Sequence, residues 1–321
     1  MITVSTTAGL LAALKSAAAG AVIALMPGNY TPVITNFNGS VTIQSGSSIT
    51  PAKITSLTVW NSSGITFRNL EFDASNYPVG SWGPGSTVAF QINQSSRMVF
   101  ANLNVHGSPT GTLATDVNGL LIRDGSQVIV TNSDFHNLHN GLEHLNMNGF
   151  IVSANHFHRL RDWGVAGGGS NYVTVQNNAC DSIHPDGALD PGHPDCIIFW
   201  TTNTTATTHD IWVTGNTNVL GSGTPIQGIF FADLSGKLPF NRVTIRNNTI
   251  KDAAWDGIYV NGATNVTVSG NKVCQTQSQA SWVDMFTVKG LTMSTNSAPM
   301  YNYAHVDGLV ESGNILNEGK C

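Results

Sequence analysis

One short pattern, apolar-x-apolar-x-x-z-x-apolar with z often Asn, returns along this chain of 321 residues. A chain assembled from copies of one unit must bury each copy against its neighbours. The pattern reads Ile65-Thr-Phe-Arg-Asn-Leu-Glu-Phe72 and Met98-Val-Phe-Ala-Asn-Leu-Asn-Val105, and it recurs at 128–135, 150–157, 173–180, 211–218, 243–250 and 266–273. Successive starts lie 22 residues apart at the least (128 to 150) and 38 at the most (173 to 211). The short spacing is one bare coil; the longer spacings are the same coil carrying a loop.

Most units hold a second apolar stretch upstream: Gly119-Leu-Leu-Ile-Arg123, Gly141-Leu-Glu-His-Leu145, Gly164-Val-Ala-Gly-Gly168, Cys196-Ile-Ile-Phe-Trp200, Gly228-Ile-Phe-Phe-Ala232 and Gly257-Ile-Tyr-Val-Asn261. Alternation along a strand puts Leu120, Ile122, Ile197, Phe199, Ile229, Ile258 and Val260 inside and their neighbours outside. Two or three short strands per unit, broken by Asn, Gly and Asp turns, exclude a propeller, and the Leu/Asn consensus of a leucine-rich repeat is missing. The expected fold is all-β: a single-stranded right-handed parallel β-helix over 1–321, as one domain. Asn132, Asn178, Asn216, Asn248 and Asn271 suit a ladder of stacked turn amides, a structural role.

Hydrophobic residues make up 41%, charged residues 10%, and net charge is −5, so the chain has material for a core and no basic patch for a phosphate backbone. Nucleic acid and membrane are not expected partners. The apolar stretch 8–26 lacks a basic segment before it and is interrupted by Lys15, so no export signal is visible. It reads instead as a helix over 7–20, with Leu10, Leu11 and Leu14 at helical spacing, capping the open end of the stack before a strand at 21–26. Cys180 reads as a small buried core residue, and a Cys274–Cys321 bridge is possible.

The N-terminal Leu-x-x-Ala-Leu … Ile-x-Leu-x-Pro-Gly-x-Tyr of residues 10–30, followed by such coils, resembles the right-handed β-helix superfamily. That superfamily includes pectate and alginate lyases, mannuronan epimerases, galacturonan hydrolases and phage tailspike depolymerases. The resemblance implies a polysaccharide partner, an extracellular or virion-associated place, and a monomer or a tailspike-like trimer. The Trp-x-Asp-His and Arg-Pro-x-x-Arg signatures of pectate lyases are absent. Asp190-Pro-Gly-His193 resembles the Asp-Pro-His element of the epimerases, with Gly192 intervening.

Chemistry is expected where the repeat is interrupted, by a loop at 181–195, and where seven of the ten histidines gather, between 130 and 200. Superposing Phe135-His-Asn-Leu-His139 on Phe157-His-Arg-Leu-Arg161 and Cys180-Asp-Ser-Ile-His184 stacks His139, Arg161 and His184 in one column. Such a column suits β-elimination from an acidic, uronate-containing polysaccharide. Arg161, Arg123 or Arg159 would pair the carboxylate, and His139 or His184 would take the C5 proton. Glu143, Asp186, Asp190 and Asp195 are further candidates, as carboxylates for glycoside hydrolysis. His193, Trp200, Phe230 and Tyr259 would line the substrate, and Asp186 and Asp190 could hold Ca²⁺. Asp256 and Asn140, each just before a strand glycine, read as turn caps. The leading reading is a polysaccharide lyase acting by β-elimination; a glycoside hydrolase or phage-type depolymerase using paired carboxylates and a non-catalytic carbohydrate-binding solenoid are the alternatives.

Overall fold

A computed structural model describes residues 1–112, 114–185, 193–275 and 280–318. Its strands, from Ile2–Val4 to Ile315–Leu316, pair in parallel with equivalent strands one coil away, forming a 22-stranded and a 12-stranded sheet. Three strand columns wind up one axis, a parallel β-helix as expected. The first column contains Asn118–Arg123, Leu142–Leu145, Val165–Gly168, Asp195–Trp200 and Gln227–Ala232. The second contains Ser96–Ala101, Ser126–Thr131, Asn148–Ser153 and Asn171–Gln176. The third is shorter-stranded: Glu71–Asp73, Asn104–His106, Asp134–His136, His156–His158 and Ala179–Asp181. Higher up, the first two columns fuse in the long strands Trp255–Ser269 and Ser281–Ser294.

The recurring pattern is thus a second-column strand, a corner and a third-column strand. The corner needs left-handed backbone, which Asn tolerates better than most residues. Asn69, Asn102, Asn132, Asn177 and Asn247 adopt it, with φ between 51° and 54°. After Asn177 and Asn247 the next residue, Asn178 and Asn248, is a rung of a buried ladder. Asn178 Nδ2 donates to Asn216 Oδ1 at 3.0 Å and to the Val152 carbonyl at 3.0 Å. Asn216 repeats this with Asn248, and Asn248 with Asn271. Asn155 and Asn296 extend the ladder beyond the residues the sequence suggested. Asn132 is not a rung: it is the left-handed corner, one position earlier.

The expected interior is the observed one. Leu120, Ile122, Ile197, Phe199, Ile229, Ile258 and Val260 are all buried. Aromatic rings stack from coil to coil, Phe135 on Phe157 at 4.9 Å and Phe199 on Phe231 at 4.6 Å, each such pair adding about 0.5–1.5 kcal/mol beyond its buried area. His144 also points inward, where burial holds its imidazole neutral by lowering its pKa to about 3.

At the N-terminal end the helix Thr7–Ser16 buries Leu10, Ala13 and Leu14 against the stack, and the Thr6 hydroxyl caps it by accepting from the Gly9 amide at 3.0 Å. It ends earlier than expected because Ala17 is already extended, ahead of the strand Ala21–Leu25. Cys180 is buried as foreseen, but it is not a free thiol: it is bonded to Cys196, so the disulfide closes the 181–195 interruption onto the stack. Cys274 is also disulfide-bonded, whereas Cys321 lies outside the described residues.

Candidate active site

Strand alternation in the first column sends one row of side chains outward: Glu143, Ala166, Ile198, Phe230, Tyr259 and Asp284 on successive coils. Solvent does not cover the middle of this row. Trp163 and Trp200, with ring centroids 5.4 Å apart, pack with Ala166, Ile198, Phe230 and Ala232 into a small apolar cluster on the outside of the helix. Phe230 and Tyr259 stack in parallel at 4.3 Å, and Phe286 meets Tyr259 edge-on. The result is an aromatic shelf running along the axis, and it contains all three aromatic residues singled out in the sequence.

Acids border the shelf. Asp195 opens its strand and is fully buried; it accepts from Nδ1 of His193 at 2.9 Å, while His193 keeps 44% side-chain exposure and lies 4.3 Å from the Phe230 ring. Burial pushes the Asp195 carboxyl up to about 6, and His193 only partly offsets it. The hydrogen bond to Asp195 in turn raises the His193 imidazole above its ordinary value.

Two coils further on, Asp256 hydrogen-bonds Asp284. Alternation alone would put Asp256 on the same face as the buried Ile258, but a bulge between the two breaks the alternation and leaves Asp256 paired with Trp282. Gly257 permits that bulge, since a Cβ there would fall 2.5 Å from Val273 Cγ1. Burial, then the hydrogen bond that protonated Asp256 donates to Asp284, then the charges of Asp284 and Asp195, push the Asp256 carboxyl up to about 8. Asp284 itself is buried and held by Asn302 Nδ2 at 2.6 Å. Two accessible groups, His193 and Asp256, are therefore each backed by a buried aspartate. Both partners favour the protonated form, Asp284 that of Asp256 and Asp195 that of His193.

The column His139, Arg161, His184 does form on successive coils: the Arg161 amide donates to the His139 carbonyl, and the His184 amide to that of Leu160. Its members have different duties. Arg161 Nε donates to Asp116 Oδ2 and Nη2 to the Gly111 carbonyl, both at 2.7 Å, which ties down the loop before Asn118–Arg123. Asp116 is buried deeply enough that its carboxyl rises despite the guanidinium. Burial and then the charges of Arg161 and Arg159 lower the His184 pKa and favour its neutral form.

His139 joins the column to the shelf. Its Nδ1 lies 3.2 Å from Asn140 Oδ1; Asn140 Nδ2 donates to Glu143 Oε1 at 3.0 Å, and Oδ1 accepts from the Trp163 amide at 3.2 Å. Trp163 Nε1 then donates to the His193 carbonyl at 3.3 Å. Burial raises the Glu143 carboxyl as well. Asn140 is thus the link between two groups of candidates. Arg123 stands apart, paired with Asp124 at 2.8 Å in the Trp200 register row three coils below, and Arg159 sits at an exposed left-handed corner. Asp186 and Asp190 lie outside the described residues.

Sequence reasoning missed Asp256, read as a turn cap, and Asp284, which was not singled out. A signal for the second existed: it is an acid at an outward position whose preceding row members are Ile198, Phe230 and Tyr259.

Stacked parallel coils with an acid-edged aromatic shelf on their outer face define a β-solenoid. Residues 88–298 match the family described as right handed beta helix region, and the chain belongs to that family. No curated protein matches it in sequence. Among solved structures it is similar to the Dettilon tailspike protein (TM-score 0.70, 12% identity, covering 98% of this chain and 63% of that one). It is also similar to a periplasmic alginate epimerase (0.62, 12%, 94% and 71%) and to the surface adhesin PfbA of Streptococcus pneumoniae (0.59, 12%, 96% and 94%). The chain thus spans less than two thirds of the tailspike's length. Among the described residues no helix is long and apolar enough to cross a membrane.

Proposed function

We propose that the protein is an extracellular or virion-associated enzyme that cleaves a polysaccharide by glycoside hydrolysis on the outer face of the first column. The observation that carries this reading is the pairing of two accessible proton-transfer groups, His193 and Asp256, each backed by a buried aspartate, beside the Phe230–Tyr259 shelf. Protonated Asp256 gives its proton to the glycosidic oxygen as the bond breaks. Neutral His193, oriented by Asp195, takes a proton from the attacking water. The shelf stacks on the apolar faces of sugar rings. The likeness to a tailspike and to an alginate epimerase supports a glycan as the ligand class.

β-Elimination is the second reading, favoured by one observation: His184, whose pKa is lowered, stands close to two guanidinium groups, Arg161 and Arg159. It ranks second because Arg161 is already engaged by Asp116 and Gly111. Incubation with a panel of neutral and acidic polysaccharides separates the readings. Hydrolysis yields new reducing ends without ultraviolet absorbance; elimination yields an absorbing unsaturated product; a binding solenoid, as the adhesin likeness would suggest, yields neither. New reducing ends from no polymer would remove the hydrolase reading.

A further inference from the structure

We propose that the outward face of the third column holds a site for a divalent transition metal of the zinc class, with Asp134, His156 and His158 as ligands. The site is independent of the acid-edged shelf and of the activity assigned there. It arises from strand alternation: His156 and His158 flank the buried Phe157 and project outward together, while Asp134 projects from the coil below, in register with His156. The two imidazoles lie face to face, with centroids 4.3 Å apart. Asp134 Oδ1 is 3.0 Å from His158 Nε2 and 3.5 Å from His156 Nδ1, and one ligand atom from each residue falls within 4.8 Å of the others. Zinc bonds of about 2.0–2.2 Å to nitrogen and oxygen set tetrahedral ligand atoms roughly 3.3 Å apart, so the trio closes on such an ion with small side-chain movement and leaves one position for water.

Two further features select a metal over a simple ion pair. His156 presents its other nitrogen, Nε2, to Asp181 Oδ2 on the coil above at 2.5 Å. A carboxylate there holds the Nε2 proton and leaves the Nδ1 lone pair facing Asp134 and His158, the arrangement that orients metal-bound histidines. The second feature is a contrast on the same face. The similar trio Glu71, Asp73 and His106 carries a built-in cation, with Lys53 Nζ 2.8 Å from Glu71 and 2.9 Å from Asp73. Among the described residues, no lysine or arginine forms a salt bridge with Asp134 or Asp181. Two imidazole nitrogens with one carboxylate select zinc, nickel, cobalt or copper over calcium or magnesium.

The test is titration of the full, tag-free, chelator-treated chain with Zn²⁺ by calorimetry, with the thermal midpoint read in parallel. The expected result is one saturable site of micromolar affinity or better and a rise of several degrees in the midpoint. His158→Ala and Asp134→Asn should each weaken binding at least tenfold while keeping the wild-type circular dichroism. His193→Ala, at the shelf, should retain the stoichiometry. Cobalt in place of zinc gives a visible absorption that His158→Ala should abolish, a readout that does not depend on stability. Absence of saturable binding, or binding equally strong in His158→Ala, overturns the site.

Discussion

The first and third columns belong to the same coils and share the same core, yet their outer faces treat carboxylates in opposite ways. On the first, Asp195 and Asp256 are pushed up by burial and, at Asp256, by a neighbouring acid, so that Asp256 holds a proton at neutral pH and Asp195 gives its own up only near pH 6. On the third, burial would also raise Asp73, Asp134 and Asp181, but cationic or histidine partners win. Hydrogen bonds from Ser75 and Lys53 bring Asp73 down to about 2, His158 lowers Asp134, and His156 lowers Asp181. The coil fixes where a side chain points. What stands one coil away decides whether an acid there keeps its proton. A face that stores protons suits acid–base chemistry; a face that exposes charge suits a cation.

Changes matched between the two faces test that division. The largest effect is expected from Asp256→Asn or His193→Ala, each lowering kcat on a cleaved polysaccharide by roughly 10²–10⁴-fold, measured by reducing ends. His158→Ala on the third column should leave the rate within about twofold. Comparable losses from both faces would erase the distinction. Next is Arg161→Ala, which strands the buried Asp116 and is expected to cost about 3 kcal/mol, read as a lower denaturation midpoint. Unchanged stability with lost turnover would return Arg161 to the reaction itself.

Asp284→Asn should act more gently and in a defined direction. Its hydrogen bond and charge help hold the Asp256 proton, so their removal lowers the Asp256 pKa. The wild-type rate should fall in acid as His193 takes up a proton, and fall again above about pH 8 as Asp256 loses its own. In Asp284→Asn the alkaline limb should move to lower pH. An unmoved limb would separate Asp256 from the pH dependence. The smallest effect belongs to Arg159→Ala, at an exposed corner away from the shelf, where stability should change by less than about 0.5 kcal/mol.

Much of the architecture was legible because strand alternation and the repeat carry it: Leu120, Phe199 and Val260 are interior for the reason their spacing implies. The ladder was legible through Asn178 and Asn216, while Asn132 misled because corner and rung are adjacent positions that both favour Asn. The shelf could be read from Trp200, Phe230 and Tyr259, since alternation alone turns them outward. Asp256 could not, because its partner Asp284 lies on another coil and a bulge, invisible in spacing, takes Asp256 out of the alternation of its strand. The role of Arg161 was hidden for a similar reason: Asp116 reaches it from a loop outside the repeat. The pairing of Cys180 with Cys196 likewise required the interruption to return to the stack.

The two faces part most sharply at Asp256, which keeps its proton at neutral pH, and Asp134, which does not. Carbon-13 detected titration of the aspartate carboxyls, assigned with Asp256→Asn and Asp134→Asn, measures this directly. The expected result is a midpoint near 8 for Asp256 and one below the ordinary carboxylate range for Asp134. Ordinary, matching midpoints near 4 for both carboxyls would contradict it.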